Sequence, residues 1–386
     1  MLLTLSLARY RAFSYREIFP TSETLRDIRK DSINFAAGRI FHGSQCQPTH
    51  HIMFVKTHKC GSSSIQNILM RYGNRYNLTF VIPWFSNNLG NFANLERFRS
   101  DMALPVPRQS YPHYDIFAHH ARYNKDVIPS LMPKNTVYIA IVREPTAMYQ
   151  SAWTYFSLNQ RFGVSLNDFA ADPHRFYFNS TDNRSLQFAR NPMLSDFGLE
   201  KEDFDNMTVL QETIDYIDKR FALVMISDYM DESLVLLRQL LCWEWDDVVE
   251  FHLNRQNNHP TKLTKKVTDN ILAWNSGDNM LYRHFLMRFR EKWAMYGDKK
   301  MTEDVKKLRL LRKDWKEKCR RASGLHNAVG EKERENCWFL CMHELEFTDR
   351  IRVKLWPNYG FEIQYENKKS DGKYCYKNFR VAEAVR

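Results

Sequence analysis

One passage constrains the fold of this chain more than any other. His51-Ile-Met-Phe-Val-Lys56 is a short, continuous apolar run, and Thr57-His-Lys-Cys-Gly-Ser-Ser63 after it is small and polar. An apolar run without alternation marks a strand buried on both faces. Beyond the loop, Ile65, Ile68, Leu69 and Tyr72 fall at the spacing of one helical face, and Gly73 is placed to end that helix. The passage reads strand, tight loop, helix.

The same grammar recurs. Val137-Tyr-Ile-Ala-Ile-Val142 is a second buried-strand run, followed by Arg143-Glu-Pro145 and a stripe at Met148, Ala152, Trp153 and Phe156. Proline suits a first helical turn, where its missing N–H costs nothing. Phe221-Ala-Leu-Val-Met-Ile226 is a third run, leading through Ser227-Asp228 into a helix with Leu234, Leu237, Leu240 and Leu241. Tyr76–Ile82 and Tyr114–Ala118 are weaker strand candidates. Buried strands alternating with helices predict an α/β fold, a parallel sheet flanked by helices, with ligands at the carboxyl ends of the strands. Residues 1–48, interrupted by Pro20, Gly38, Gly43 and Pro48, read as a leader or stem, and 49–262 as the core. Residues 263–386 read as a mainly helical C-terminal part of the same domain. Its apolar stripes are Trp274, Leu281, Phe285, Phe289 and Trp293, then Val305, Leu308, Leu311 (or Leu310), Trp315 and Cys319.

Charge narrows the partners. Lys and Arg total 56 against 45 Asp and Glu, a net +11 that favours an anionic ligand such as nucleic acid, a membrane surface, a nucleotide or an acidic glycan. No zinc-finger, RNP or helix-turn-helix signature supports nucleic acid, and the basic helix around 302–321 reads as a solvated outer face. No apolar stretch approaches the length of a membrane-spanning helix. Met1–Ala8 is apolar, but Arg9 and Arg11 follow it, the wrong order for a secretory signal.

The seven cysteines are scattered. Cys337, Cys341 and His343 could ligate a metal but lack a fourth ligand at regular spacing. Cys319, Cys337, Cys341 and Cys375 would equally suit a disulfide-tied C-terminal region. Four glycosylation sequons occur, at Asn77, Asn179, Asn183 and Asn206, too few to establish secretion alone.

The loop after the first strand carries the most chemistry. A small loop feeding a helix presents backbone N–H groups at the positive end of the helix dipole. Gly61 admits a ligand closely, Ser62, Ser63 and Ser64 add hydroxyls, and Lys59 adds a charge. This suits a phosphate or phosphosulfate, although the same string could be an ordinary turn. It is not a Walker A loop, because G-x4-G-K-[ST] is absent. At the second strand end, Arg143 with Ser151 on the next helix can clamp another phosphate, unless Arg143 pairs with Glu144 or another carboxylate. Two anion clamps on adjacent strand ends describe a nucleoside phosphorylated at both ends.

On these residues the chain resembles the Golgi carbohydrate sulfotransferases, and within them the galactose 3-O-sulfotransferases. Phe54-Val-Lys-Thr-His-Lys-Cys-Gly-Ser-Ser-Ser64 looks like the family's 5′-phosphosulfate loop, and Ile141-Val-Arg-Glu-Pro145 through Ser151 is similar to its 3′-phosphate motif. Ala118-His-His-Ala-Arg-Tyr-Asn124 and Asp231–Glu244 are similar to stretches specific to this branch. The resemblance covers about residues 46–320 and implies a P-loop-like sulfotransferase fold.

The resemblance implies that 3′-phosphoadenosine 5′-phosphosulfate gives its sulfate to the 3-hydroxyl of a galactose, on a glycolipid or a glycoprotein glycan, without a metal or nucleic acid. Lys59 would stabilise charge on the leaving phosphate, while the N–H groups of Cys60, Gly61, Ser62 and Ser63 hold it. Arg143 and Ser151 would hold the 3′-phosphate. His120 would be the general base, with His119 as the alternative and His58 shaping the loop. Where relatives have Thr-Ala-Ser-Ser, this chain has Cys60-Gly61-Ser62-Ser63, so a thiol beside the donor could be reactive. Arg255, in the polar loop Leu253–Pro260, is a further possible phosphate contact. Trp84, Phe85, Trp153 and Tyr155 could stack on a sugar, although such aromatics are more often core. Relatives are lumenal type II membrane proteins; their anchor has no counterpart in this sequence. Rival readings are sulfation of another glycan sugar, a nucleotide- or glycan-binding relative without turnover, and a P-loop kinase.

Overall fold

Five strands take up the chain's most apolar runs: β1 (Ile52–Val55), β2 (Phe80–Val81), β3 (Ile116–Phe117), β4 (Val137–Val142) and β5 (Leu223–Ile226). The computed structural model describes residues 46–90, 96–108, 110–251, 262–322 and 330–363. Every strand pairing among the described residues is parallel, in the order β2-β3-β1-β4-β5. β1 sits at the centre, Ile52 opposite Ile116 on one side and Val55 opposite Ala140 on the other. The chain moves outward from β1 in one direction to β2 and β3, and in the other through β4 to β5. Such a change of direction opens a crevice at the carboxyl ends of the two strands flanking it, here β1 and β4.

The two weaker strand candidates contract to two residues each. Tyr76 closes the preceding helix and Asn77 turns the chain in a left-handed conformation (φ 53°), so pairing starts only at Phe80. Thr79 is pinned there, its N–H and hydroxyl both donating to Asp115 Oδ2 at 2.7 and 2.8 Å.

Helix α1 (Ser62–Arg75) follows β1 and is buried along most of its length. Gly73 does not end it. A Cβ at this position would stand 2.3 Å from Phe80 Cζ and 2.7 Å from Ile116 Cδ1, so glycine here lets the helix lie close on β2 and β3. Helix α2 (Pro145–Tyr155) starts at the expected proline. Trp153 leaves the sheet for a second, aromatic-rich cluster with Tyr149, Phe169 and Trp274.

Helices α3 (Met207–Arg220) and α4 (Met230–Leu241) flank β5 in sequence, and α4 packs on that strand. The C-terminal region contributes α5 (Lys265–Trp274), α6 (Ser276–Tyr296), α7 (Asp298–Ala322), α8 (Glu331–Cys341) and α9 (Glu344–Leu355). α6 also packs on β5, while α8 and α9 pack on α1. Much of α7 is solvated as expected, with one correction: Arg312 is buried and pairs with Asp231 (2.6 Å) and Glu250 (3.1 Å).

Cys319 and Cys337 form a disulfide joining α7 to α8, and Cys341 is also disulfide-bonded. Their sulfurs are therefore not available to a metal. His343 instead caps α9, its Nδ1 accepting the Leu345 N–H at 3.3 Å. All four sequon asparagines are exposed. Among the described residues no helix is long and apolar enough to cross a membrane.

Candidate functional site

The loop Thr57–Gly61 leaves β1 at the central crevice and is tied to the next strand, the Thr57 hydroxyl donating to the Ile141 carbonyl of β4. Two residues bend it sharply: Lys59 and Gly61 both have positive φ, 59° and 76°. Glycine is required at 61 twice over. The conformation is left-handed, and a Cβ would lie 2.9 Å from Met230 Cε. Ser62 Oγ closes the turn on the Thr57 carbonyl at 2.6 Å.

This bend leaves the start of α1 open. No side chain caps the helix, and the N–H groups of Lys59 through Ser63 make no well-formed hydrogen bond among the described residues. The neighbouring helix contrasts with it. Glu144 caps α2, accepting from the N–H of Thr146 (3.0 Å) and Ala147 (2.7 Å), so that terminus already holds an anion of its own. An added anion is therefore favoured at α1.

Two cations border the open terminus. Arg143 Nη1 donates to the Lys59 carbonyl at 3.0 Å and makes no ion pair among the described residues. The alternative pairing with Glu144 does not form, because that carboxylate is spent on α2. Lys59 extends over the ring of Tyr155, with Nζ 3.6 Å from the centroid. Burial, followed by the Arg143 guanidinium, brings the Lys59 ammonium down from its ordinary 10.5 to about 8. Ser151 is half-buried on α2, and its hydroxyl makes no hydrogen bond among the described residues.

Not every candidate faces the opening. Ser63 Oγ donates to Glu344 Oε2 (3.0 Å), and Ser64 Oγ to Glu250 Oε2 (3.2 Å), so these hydroxyls are engaged inside the fold. Cys60 is fully buried, its sulfhydryl donating to the His58 carbonyl at 3.2 Å. Burial pushes the thiol up to about 12, which corrects the expectation of a reactive sulfur. Arg255 and its loop lie outside the described residues. Trp84 and Phe85 are exposed, whereas Trp153 is core.

The histidines separate by environment. His119 is buried, its Nε2 2.9 Å from Thr348 Oγ1, and burial drives it down to about 3. His120 keeps partial exposure and stacks on His58, centroids 4.0 Å apart. Its Nδ1 lies 3.0 Å from the Lys56 carbonyl. A carbonyl oxygen only accepts, so Nδ1 carries the hydrogen and Nε2 keeps its lone pair. Burial, then the charges of Lys56 and His58, holds His120 well below 6.5. It is a neutral acceptor near pH 7. His58 is fixed in turn, its N–H and Nδ1 meeting the two Asp196 oxygens at 2.7 and 2.8 Å.

Three participants had no sequence signal: Lys56, Asp196 and Glu344. Lys56 is 1% exposed, and its Nζ donates to Glu344 Oε2 at 2.7 Å across 288 positions of sequence. Tyr155, considered only as a sugar platform, also holds Lys59.

A family model described as galactose-3-O-sulfotransferase matches residues 2–339. Human galactosylceramide sulfotransferase is 33% identical over 272 residues, 69% of this chain and 63% of the relative. Mouse galactose-3-O-sulfotransferase 2 is 34% identical over 68% of each chain, and bovine galactose-3-O-sulfotransferase 3 is 32% identical over 71% of this chain and 65% of its own. The alignment thus spans a little under two thirds of the length of the human and bovine relatives. With most of its length matched, and with relatives at a third identity, the chain belongs to the galactose-3-O-sulfotransferase family.

Proposed function

We propose that the protein transfers sulfate from 3′-phosphoadenosine 5′-phosphosulfate to the 3-hydroxyl of a galactose, on a glycolipid or a glycoprotein glycan. The observation that carries this reading is the open N-terminus of α1, bordered by Lys59 and by an Arg143 that no carboxylate among the described residues neutralises. The loop then acts as a P-loop-like cradle without a Walker sequence. Amides of Cys60 to Ser63 hold the 5′-phosphate, and Arg143 with Ser151 holds the 3′-phosphate. On this reading, residues 49–262 are the donor-binding core and the C-terminal helices belong to the same domain.

Lys59 neutralises charge on the bridging oxygen as its bond to sulfur breaks, and the galactose O3–sulfur bond forms in line. His120 Nε2 takes the hydroxyl proton. Its depressed basicity keeps it unprotonated, and its partial exposure gives an acceptor access. The products are a galactose 3-sulfate and 3′,5′-bisphosphoadenosine, with the proton on His120. The Cys319–Cys337 disulfide supports the expected Golgi lumen, an oxidising compartment.

The test is an acceptor panel with radiolabelled phosphosulfate donor and EDTA present, comparing galactosylceramide, type 1 and type 2 lactosamine, and core 1 disaccharide. Label on the 3-hydroxyl of galactose is expected. Nucleotide binding with no transfer would leave a binding protein, and label on another sugar would change the acceptor. Phosphate transfer from ATP that EDTA abolishes would indicate a kinase.

A further inference from the structure

The first residue of α9 lies five positions beyond the end of the family match, yet its side chain enters the centre of the candidate site. One oxygen, Glu344 Oε2, accepts from both Lys56 Nζ (2.7 Å) and Ser63 Oγ (3.0 Å). These donors stand at opposite ends of the bent loop, where β1 stops and where α1 begins. The Lys56 side chain is 0% exposed, so it reaches no ligand, and a charge buried this deeply needs a partner. The Lys56 carbonyl meanwhile receives His120 Nδ1.

A second strut runs parallel. Thr348, one turn along α9, donates to the Glu344 carbonyl at 2.7 Å and lies 2.9 Å from His119 Nε2. Asn67 of α1 donates to the Phe339 carbonyl of α8 at 2.9 Å, and the Cys319–Cys337 disulfide ties α8 to α7. The α8–α9 segment thus grips both the anion loop and the strand end that carries the two histidines.

We propose that Glu344 is a positioning residue of the donor site: by bridging Lys56 and Ser63 it sets the curvature of the loop, so the helix beyond the family-matched residues completes the cradle. This rests on the donor reading above. In this role Glu344 acts through the loop whose amides hold the donor.

The test measures 3′,5′-bisphosphoadenosine affinity by calorimetry, donor and acceptor KM, and thermal stability in the full chain. Glu344→Gln should weaken nucleotide binding and raise donor KM about tenfold or more, leaving acceptor KM nearly unchanged. Because this variant strands the Lys56 charge, it could also lose stability, so Lys56→Met/Glu344→Gln provides the control. Removing both charges should bring Tm back near wild type, while nucleotide affinity stays at least tenfold weak because the bridge is still missing. A double variant, or a Glu344→Gln variant, with wild-type affinity would overturn the proposal. Failure of the wild-type protein itself to bind nucleotide would overturn the donor reading and this inference with it.

Discussion

Arg143 donates to the main-chain carbonyl of Lys59, 3.0 Å away, and so joins the loops that leave two adjacent parallel strands. One guanidinium nitrogen is used in this contact. The planar fork retains further donors for an anion in the crevice. Arg143→Ala should therefore weaken 3′,5′-bisphosphoadenosine binding by about tenfold to a hundredfold, the scale of one or two charge-assisted hydrogen bonds. Arg143→Lys should recover only part of this, because an ammonium lacks the fork. Calorimetric titration checks both, and wild-type affinity in Arg143→Ala would remove Arg143 from the donor site.

Lys59 gives a pH signature. Its folded value of about 8 lies below the ordinary 10.5, so between these two the unfolded chain binds more protons. Stability from this group should accordingly rise with pH across that window, while nucleotide affinity falls as the ammonium is lost. Binding measured from pH 7 to 9.5 should show the decline. Lys59→Arg should flatten it, and removing the Arg143 charge should move it to higher pH. Identical pH dependence in all three proteins would exclude Lys59 from the anion site.

His120→Ala should lower kcat by about a hundredfold to ten-thousandfold, the range for a lost general base, and leave nucleotide affinity intact. Since His120 is held well below 6.5, kcat/KM for acceptor should not lose activity to its protonation between pH 7 and 6.5. His119→Ala should instead act on folding, because that ring is buried against Thr348. Steady-state kinetics beside thermal melts separate the two histidines.

Two glycines should fail differently when changed to alanine. At Gly61 the left-handed backbone and the Met230 methyl oppose a side chain, so Gly61→Ala should distort the loop and reduce nucleotide affinity. At Gly73 the added methyl meets Phe80 and Ile116, which should cost about 1–3 kcal/mol of stability, the usual range for overpacking, with affinity kept. Denaturant melts and nucleotide titration on both proteins provide the comparison.

The disulfide offers a final check. Cys319 and Cys337 lie 18 positions apart in sequence, for which chain-entropy arguments give about 3 kcal/mol. Cys319→Ser should lower Tm. It should also loosen nucleotide binding severalfold, because α8 and α9 hang from that link. A fall in Tm with unchanged affinity would separate the disulfide from the loop.

Local pattern determined the strands, the loop and the helix starts. Unbroken apolar runs can be satisfied only by burial on both faces, so β1, β4 and β5 were legible, and Pro145 marked the start of α2. Gly73 misled because glycine at a helix end and glycine under a close strand look the same in one dimension. Cys60 misled because exposure is not written in a thiol's neighbours.

Glu344, Lys56 and Asp196 were illegible for a related reason. Each matters through a partner far away in sequence, and nothing local distinguishes a buried, paired charge from a solvated one. His120 was named as the base from resemblance; its tautomer and its low basicity come from the Lys56 carbonyl and the charges packed around it. The chain alone specified which groups could meet an anion, because backbone conformation and hydrophobic spacing act over a few residues. Only the folded sheet decided which of them face the crevice and which are neutralised, because desolvation and charge pairing depend on distance in space.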